Sequence, residues 1–442
     1  MSSSITYRQI LRLAVPISVS LLIPQISFMA NAVFLGEAGK IALVANGLAG
    51  IYYLLLTYIG FGLSNGLTVL LSRRAGQQDE MGMGGIFSNG LMLAMATSLT
   101  LVMLSLPVTN VLYHYTIKEP AIRYNTLQFL HIRLIGLPFL LTTQVFNALF
   151  ISINRSRMLI YGAIAGNATN ILLDYLLING HGGLPVLGLT GAAVASVLGD
   201  VAATIVMTSL YFTKKFQSIY KVSIKKLDKT IVIQTLKVAA PLLLQYIFSI
   251  GGWQLFYIYV EHLGVTQLAT SHILRSVMGI VSIGTWALAA TANTLVSKLI
   301  GAGKNAAVLP LALRVILLSV GYTLGISCFL FFFPERFMGF YSNKADVVAM
   351  GIGPLRVLAC SSLVMSVGTI CFNSVMGTGN TLINLGIETF CVCSYILYVT
   401  IVVEWQHSSL TMAFTSELVY WGLLLVVSGS YLLSGRWKGK EL

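Results

Sequence analysis

Asn170 and Asp174 stand four residues apart within residues 166–180, a stretch otherwise apolar enough to cross a bilayer. On a helix that spacing puts both side chains on one face. A carboxylate beside an amide there is suited to holding a proton or a small cation. An ionisable group inside a membrane helix marks a functional site by default. Asp200 lies midway along a later apolar run and is expected to share that ion with Asp174. A second group collects in the other half of the chain. Arg275 is a lone cation at membrane depth, with His272 one turn before it, and Glu417, Glu388 and Glu261 are its candidate partners. The structural alternatives are concrete: Asp174 shaping packing near a helix end, Asp200 and Glu417 capping loop amides, Arg275 held in a buried ion pair, and His272 as a hydrogen-bonded packing residue.

The elements that must position these groups are membrane helices. Hydrophobic residues are 56% of the chain and charged residues 9%, against about 25% charged in soluble domains. Mean hydropathy is +0.84. Windows of about 20 apolar residues predict twelve spans, at 13–34, 41–72, 84–113, 125–153, 157–179, 186–213, 232–263, 266–300, 309–333, 346–377, 381–404 and 409–433. Pro16 and Pro24 fall in the first span. Each removes a backbone hydrogen bond and favours a kink, so both are hinge candidates, with Pro24 the better placed. Trp253, Phe256, Tyr257 and Trp286 are candidates to line a cleft, where an aromatic face can hold a cation.

Positive charge fixes the orientation. Arg8, Arg12, Arg73, Arg74, Arg155, Arg157, Lys214, Lys215, Lys221, Lys225, Lys226, Lys229, Lys298, Lys304, Arg436, Lys438 and Lys440 all fall on one side of a twelve-span layout. That side is cytoplasmic by the positive-inside bias, and both termini lie there. The net charge of +13 therefore reads as a topology signal that touches anionic lipid, not as a nucleic-acid surface. Arg133 and Arg356, at the outer ends of spans four and ten, are expected to snorkel. Ala30-Asn31-Ala32 imitates a signal-peptidase site, but its segment recurs later in the chain and is read as a retained helix.

The recurrence is extensive. Residues 11–16 (LRLAVP) match residues 236–241 (LKVAAP), and Gly39, Leu43, Ser72 and Gly76 match Gly264, Leu268, Ser297 and Gly301, each pair 225 residues apart. Arg133 then matches Arg356 at an interval of 223, and Asp200 matches Glu417 at 217. Six spans per copy give both halves one orientation, with the substrate path expected near the repeat interface. The expected domains are residues 1–213, a basic linker 214–231, and residues 232–442. The fold class is thus all-α and integral to the membrane, with twelve transmembrane helices in two six-helix lobes related by a parallel, same-orientation repeat.

With Ala14-Val15-Pro16, Val33-Phe34-Leu35-Gly36, residues 71–76 (LSRRAG), residues 188–196 (GLTGAAVAS), residues 290–297 (ATANTLVS) and residues 415–421 (TSELVYW), the chain resembles the multidrug and toxic compound extrusion (MATE) family along its whole length. The likeness is greatest to the DinF-like bacterial branch. The resemblance implies two lobes around a central cleft that alternate in access, exporting organic, often cationic compounds against H⁺ or Na⁺. It carries over to Asn170 and Asp174 on the fifth span and to Ser196 early in the sixth as ion-coupling positions. Where the branch has a carboxylate on the first span, this chain has Asn31. Glu261 stands near an acidic position of the NorM-like pattern, whose acid on the tenth span is missing.

Nothing here points to an enzyme. There is no P-loop, and the six histidines lack metal-ligand spacing. The five cysteines lie in apolar runs and read as packing residues, so neither a metal site nor a cofactor beyond the coupling H⁺ or Na⁺ is expected. The expected partners are a small organic solute, the coupling cation and lipid, with no nucleic acid and a monomeric state. The expected compartment is a bacterial inner membrane. The alternatives are a flippase for a lipid-linked or amphiphilic substrate and a non-transporting scaffold or sensor.

Overall fold

The structure, a computed structural model, describes residues 5–220, 228–341 and 344–439. Lys221, Lys225, Lys226 and Lys440 of the topology argument therefore lie outside the described residues, as does part of the 214–231 linker. Helices α1 (Tyr7–Ala38), α2 (Lys40–Gln77) and α3 (Glu80–Thr116) are followed by α4 (Pro120–Leu134), α5 (Leu137–Ser152), α6 (Arg157–Ile178), α7 (Gly188–Thr213) and a single turn, α8 (Phe216–Ile219). The second copy comprises α9 (Lys229–Leu263), α10 (Val265–Gly301), α11 (Val308–Phe332), the short α12 (Pro334–Tyr341), α13 (Ala345–Gly377), α14 (Thr381–Val399), the short α15 (Leu410–Phe414) and α16 (Ser416–Ser434). A π-helical segment, Thr400–Trp405, extends α14.

Among the described residues, ten helical segments are individually long and apolar enough to cross a membrane, and α4 with α5 supplies a crossing bent by 46°. The remaining predicted span is α6. Its 22 residues reach about 33 Å at 1.5 Å per residue, but Asn167, Asn170 and Asp174 make it the polar member of the set. The all-helical fold with two runs of six is thus the one predicted.

Repeat-equivalent turns are built alike. Gly39 (φ +116°) separates α1 from α2, and its mate Gly264 (φ +131°) separates α9 from α10. Glycine enters that backbone region at little cost, whereas a side chain there is strained. Each hairpin therefore turns on one residue. At the next turn, Asp79 caps α3 by accepting from the Gly82 N–H at 2.8 Å.

The chain packs as two compact units. One is Val19–Leu243; the other is Leu244 onward together with the residues up to Ser18. The divisions fall inside α1 and α9, 225 residues apart, at the repeat interval, whereas the sequence reading divided the halves at 213 and 232. Within the first unit the opening of α9 lies against α2: a Cβ on Gly66 would meet Ala239 at 2.9 Å, and one on Gly62 would meet Leu243 at 2.4 Å. Within the second, the Arg314 guanidinium donates to the Ile5 carbonyl, which ties the start of α1 to α11.

Candidate functional site

In the unit Val19–Leu243, α6 and α7 meet backbone to backbone. A Cβ on Gly199 would lie 2.7 Å from the Gly166 carbonyl oxygen, the kind of small-residue contact that lets membrane helices approach closely. This sets Asn170 beside Ser196, and the Asn170 amide donates to Ser196 Oγ at 3.2 Å. The Asn170 carbonyl oxygen accepts from Ser27 Oγ at 2.7 Å. One turn on, Asn31 Nδ2 donates to Asp174 Oδ2 at 3.1 Å. Ser27 and Asn31 are four apart on α1, as Asn170 and Asp174 are on α6, so the two helices join through two parallel rungs. Ser27 was not singled out from the sequence. Its spacing from Asn31, on one face of the same helix, is the signal that would have found it.

Asp174 is fully buried at 0% exposure. Its Oδ1 has no hydrogen-bond partner among the described residues. A sealed acceptor without a donor is costly, and a carboxylate can relieve that cost by taking a proton or a small cation.

Asp200 is engaged by Arg133 in an ion pair rather than by Asp174. Arg133 also lies over the Tyr53 ring, 4.2 Å from its centroid, and its charge acts on Asp174 as well. The snorkelling expectation for Arg133 is therefore corrected. The fourth crossing begins at Pro120 and breaks after Leu134, so Arg133 stands at the break in its middle and turns inward. Gly136 makes room for this, since a Cβ there would meet Asp200 Oδ2 at 2.8 Å and Arg133 NH1 at 3.0 Å. Arg356, by contrast, is exposed as expected.

The second unit holds a different cluster. Glu388, 1% exposed, accepts from Ser249 Oγ and from Tyr420 OH at 2.8 Å. Glu417 accepts from Trp421 Nε1 at 2.9 Å. Arg275 donates from Nε to Tyr257 OH at 2.8 Å, and its guanidinium lies 4.1 Å from the Trp253 ring centroid. Glu417 acts on Arg275 through its charge, but none of the ion pairs among the described residues contains Arg275. The expected buried ion pair is thus replaced by stacking and one hydrogen bond. His272 stacks flat on Tyr257, with centroids 4.6 Å apart.

Glu261 does not join this cluster. It is exposed at the end of α9, where its neighbour His262 pairs with Glu404 instead. Of the aromatic candidates, Phe256 is core, packed on Phe414 at 5.2 Å, and Trp286 is exposed. Pro16 is buried and Pro24 exposed, both inside an unbroken α1.

Two repeated sets of membrane-length helices among the described residues, with the carboxylates of Asp174, Glu388 and Glu417 buried inside them, fit the architecture of a membrane transporter. The chain belongs to the MatE family: the family profile matches residues 16–176 and 241–401, two copies that begin 225 residues apart. Membership places it among transporters, not enzymes. The probable multidrug resistance protein NorM of Thermotoga maritima is 23% identical over 379 residues, covering 85% of this chain and 81% of that protein. A crystal structure of MATE in the straight conformation has the same fold, with a TM-score of 0.88 at 18% identity over 97% of this chain and 95% of that one. One in the bent conformation gives 0.86 at 18% identity over 97% and 94%. The NorM likeness does not separate out the DinF-like branch.

Proposed function

We propose that this protein is a secondary active antiporter that exports small organic compounds, cationic or amphiphilic, in exchange for H⁺ or Na⁺. The observation that carries this reading is Asp174: a fully buried carboxylate with one oxygen held by Asn31 and the other without a donor. Asp174 takes the coupling ion. Asn31 orients its carboxylate, and the Ser27–Asn170–Ser196 chain holds α1, α6 and α7 in register beside it. Arg133 occupies Asp200, so a single carboxylate is left for the ion. Binding drives export only if it favours one of the two access states. The moving part is α1, with Pro24 as its hinge and Pro16 as the fixed end. The naming of the relatives as multidrug resistance proteins and the straight and bent forms of the fold support this reading. The basic residues on one side of the membrane support an inner-membrane protein with both termini in the cytoplasm, working as a monomer among lipids.

The test is efflux of fluorescent organic cations from proteoliposomes, with ΔpH and ΔNa⁺ imposed separately. One gradient is expected to drive efflux in the wild type, and Asp174→Asn is expected to abolish the gradient-driven part while the protein remains folded. Unaltered coupling in Asp174→Asn would remove this carboxylate from the mechanism.

A further inference from the structure

We propose that Arg275 forms an oxyanion-binding site in the second compact unit, taking the carboxylate of an aromatic, amphoteric solute. This deepens the export reading and rests on it. The geometry is specific. Arg275 Nε is fixed by Tyr257 OH at 2.8 Å, and the guanidinium lies over Trp253 at 4.1 Å and beside Tyr257 at 5.3 Å. The orientation of the planar group is therefore set before anything binds.

Its two terminal nitrogens have no hydrogen-bond partner among the described residues, and they are not among the sealed polar atoms, so they reach accessible space. The nearby acid, Glu417, acts through its charge while its Oε2 accepts from Trp421. The other buried acid, Glu388, is held by Ser249 and Tyr420. Exposed His272 and Ser276 lie one turn before Arg275 and next to it on α10.

A guanidinium with its Nε anchored offers its remaining edge as a two-pronged donor, the geometry that matches a carboxylate. The flanking rings of Trp253 and Tyr257 supply the surface on which an aromatic scaffold stacks. A purely cationic solute gains nothing from this edge and is repelled by it. On the export reading of organic amines, the site therefore selects for those that also carry an oxyanion.

Dansyl-lysine, with an aromatic ring, an ammonium and a carboxylate, is the probe; its carboxamide is the matched control. Binding is read by energy transfer from tryptophan in phosphatidylcholine nanodiscs. Wild type is expected to prefer the carboxylate by at least about tenfold, the scale of a charge-assisted hydrogen-bonded pair. Arg275→Gln is expected to abolish that preference by weakening the carboxylate probe without weakening the carboxamide, and Arg275→Lys to keep only part of it. Equal affinity for the two probes in wild type, or equal weakening of both in Arg275→Gln, would overturn the site.

Where Arg275→Gln fails to fold, Trp253→Leu serves: it keeps the cation, and its preference is expected to fall several-fold. An unchanged preference overturns the proposal. A phosphate headgroup is the other source of an oxyanion. Nanodiscs containing phosphatidylglycerol separate the two: an Arg275-dependent loss of dansyl-lysine affinity assigns the site to lipid, and no such loss assigns it to the solute. Gradient-driven efflux of a cationic dye is assayed on the same preparation. Efflux without carboxylate preference removes the anion site alone; preference without efflux removes the export reading and keeps the site.

Discussion

The two repeats carry the same charges at equivalent positions and use them differently. In the unit Val19–Leu243, Arg133 turns inward and pairs with Asp200. In the other unit the mate of Arg133, Arg356, is exposed and reaches no further than the Phe331 carbonyl at 3.4 Å and the Phe331 ring. The mate of Asp200, Glu417, is served instead by Trp421 and by the field of Arg275 from α10. Asp200 and Glu417 thus both find positive charge, but from different helices. Where the pair closes fully, Asp174 is the acid left over. Where it does not, Arg275 keeps both terminal nitrogens without a hydrogen-bond partner among the described residues. One fold duplicated in sequence therefore offers a spare carboxylate in one unit and a spare guanidinium in the other.

The largest effect should come from breaking the closed pair. Arg133→Gln leaves Asp200 without its partner in a site where both side chains are under one-fifth exposed. Removing one member of such a pair costs about 3–5 kcal/mol, expected as a large fall in Tm of the purified protein in detergent. Arg356→Gln should stay within about 0.5 kcal/mol of wild type, as at other exposed positions. The double variant Arg133→Gln/Asp200→Asn should recover much of the loss, because it leaves no unpaired charge. Similar losses from Arg133→Gln and Arg356→Gln would show that the repeats are equivalent after all.

A single small residue separates the two outcomes. Gly136, at the break between α4 and α5, corresponds at the local interval of 223 to Ala359 in α13, which runs unbroken and buries that alanine. Gly136 has ordinary helical angles, φ −72° and ψ −21°, so alanine meets no backbone objection. Its methyl group would instead press on the Arg133–Asp200 pair. Gly136→Ala should cost about 1–3 kcal/mol, the usual range for overpacking. The cost should shrink in an Arg133→Gln background, where the obstructing guanidinium is gone. A cost of the same size in both backgrounds would place the glycine's role elsewhere.

How far the sequence went follows from the same residues. The spans, their number and the repeat were legible, because hydropathy and interval are properties of the chain alone. The likeness of Asn170, Asp174 and Ser196 to a known pattern pointed to a cluster that the fold does assemble, and Gly39 and Gly264 marked equivalent turns. The inward turn of Arg133 was not legible. A hydropathy window sees α4 and α5 as one run and cannot register a 46° bend, so the residue was placed near an end. Partner choice was also hidden. Glu261, Glu388 and Glu417 were equal candidates for Arg275 in sequence, and which one approaches depends on helix rotation. In the event Tyr257 and Trp253, on the neighbouring helix, hold the guanidinium.

The smallest effects concern the two rungs between α1 and α6, and their difference reports on the ion. Ser27→Ala removes one donor to Asn170, whose amide still reaches Ser196, and should cost about 1 kcal/mol. Asn31→Ala removes the hydrogen bond that holds Asp174 and leaves both carboxylate oxygens without a donor. Its cost should be larger, about 1–3 kcal/mol for an unsatisfied buried group. A bound ion would supply what the amide no longer does. Measured as Tm with and without the coupling ion at saturation, the Asn31→Ala deficit should therefore narrow toward that of Ser27→Ala when the ion is present, because a ligand bound to the folded state adds stability. If the gap between the two variants is the same with H⁺ or Na⁺ in excess as without, the ion does not sit on Asp174, and the spare carboxylate of this unit serves packing alone.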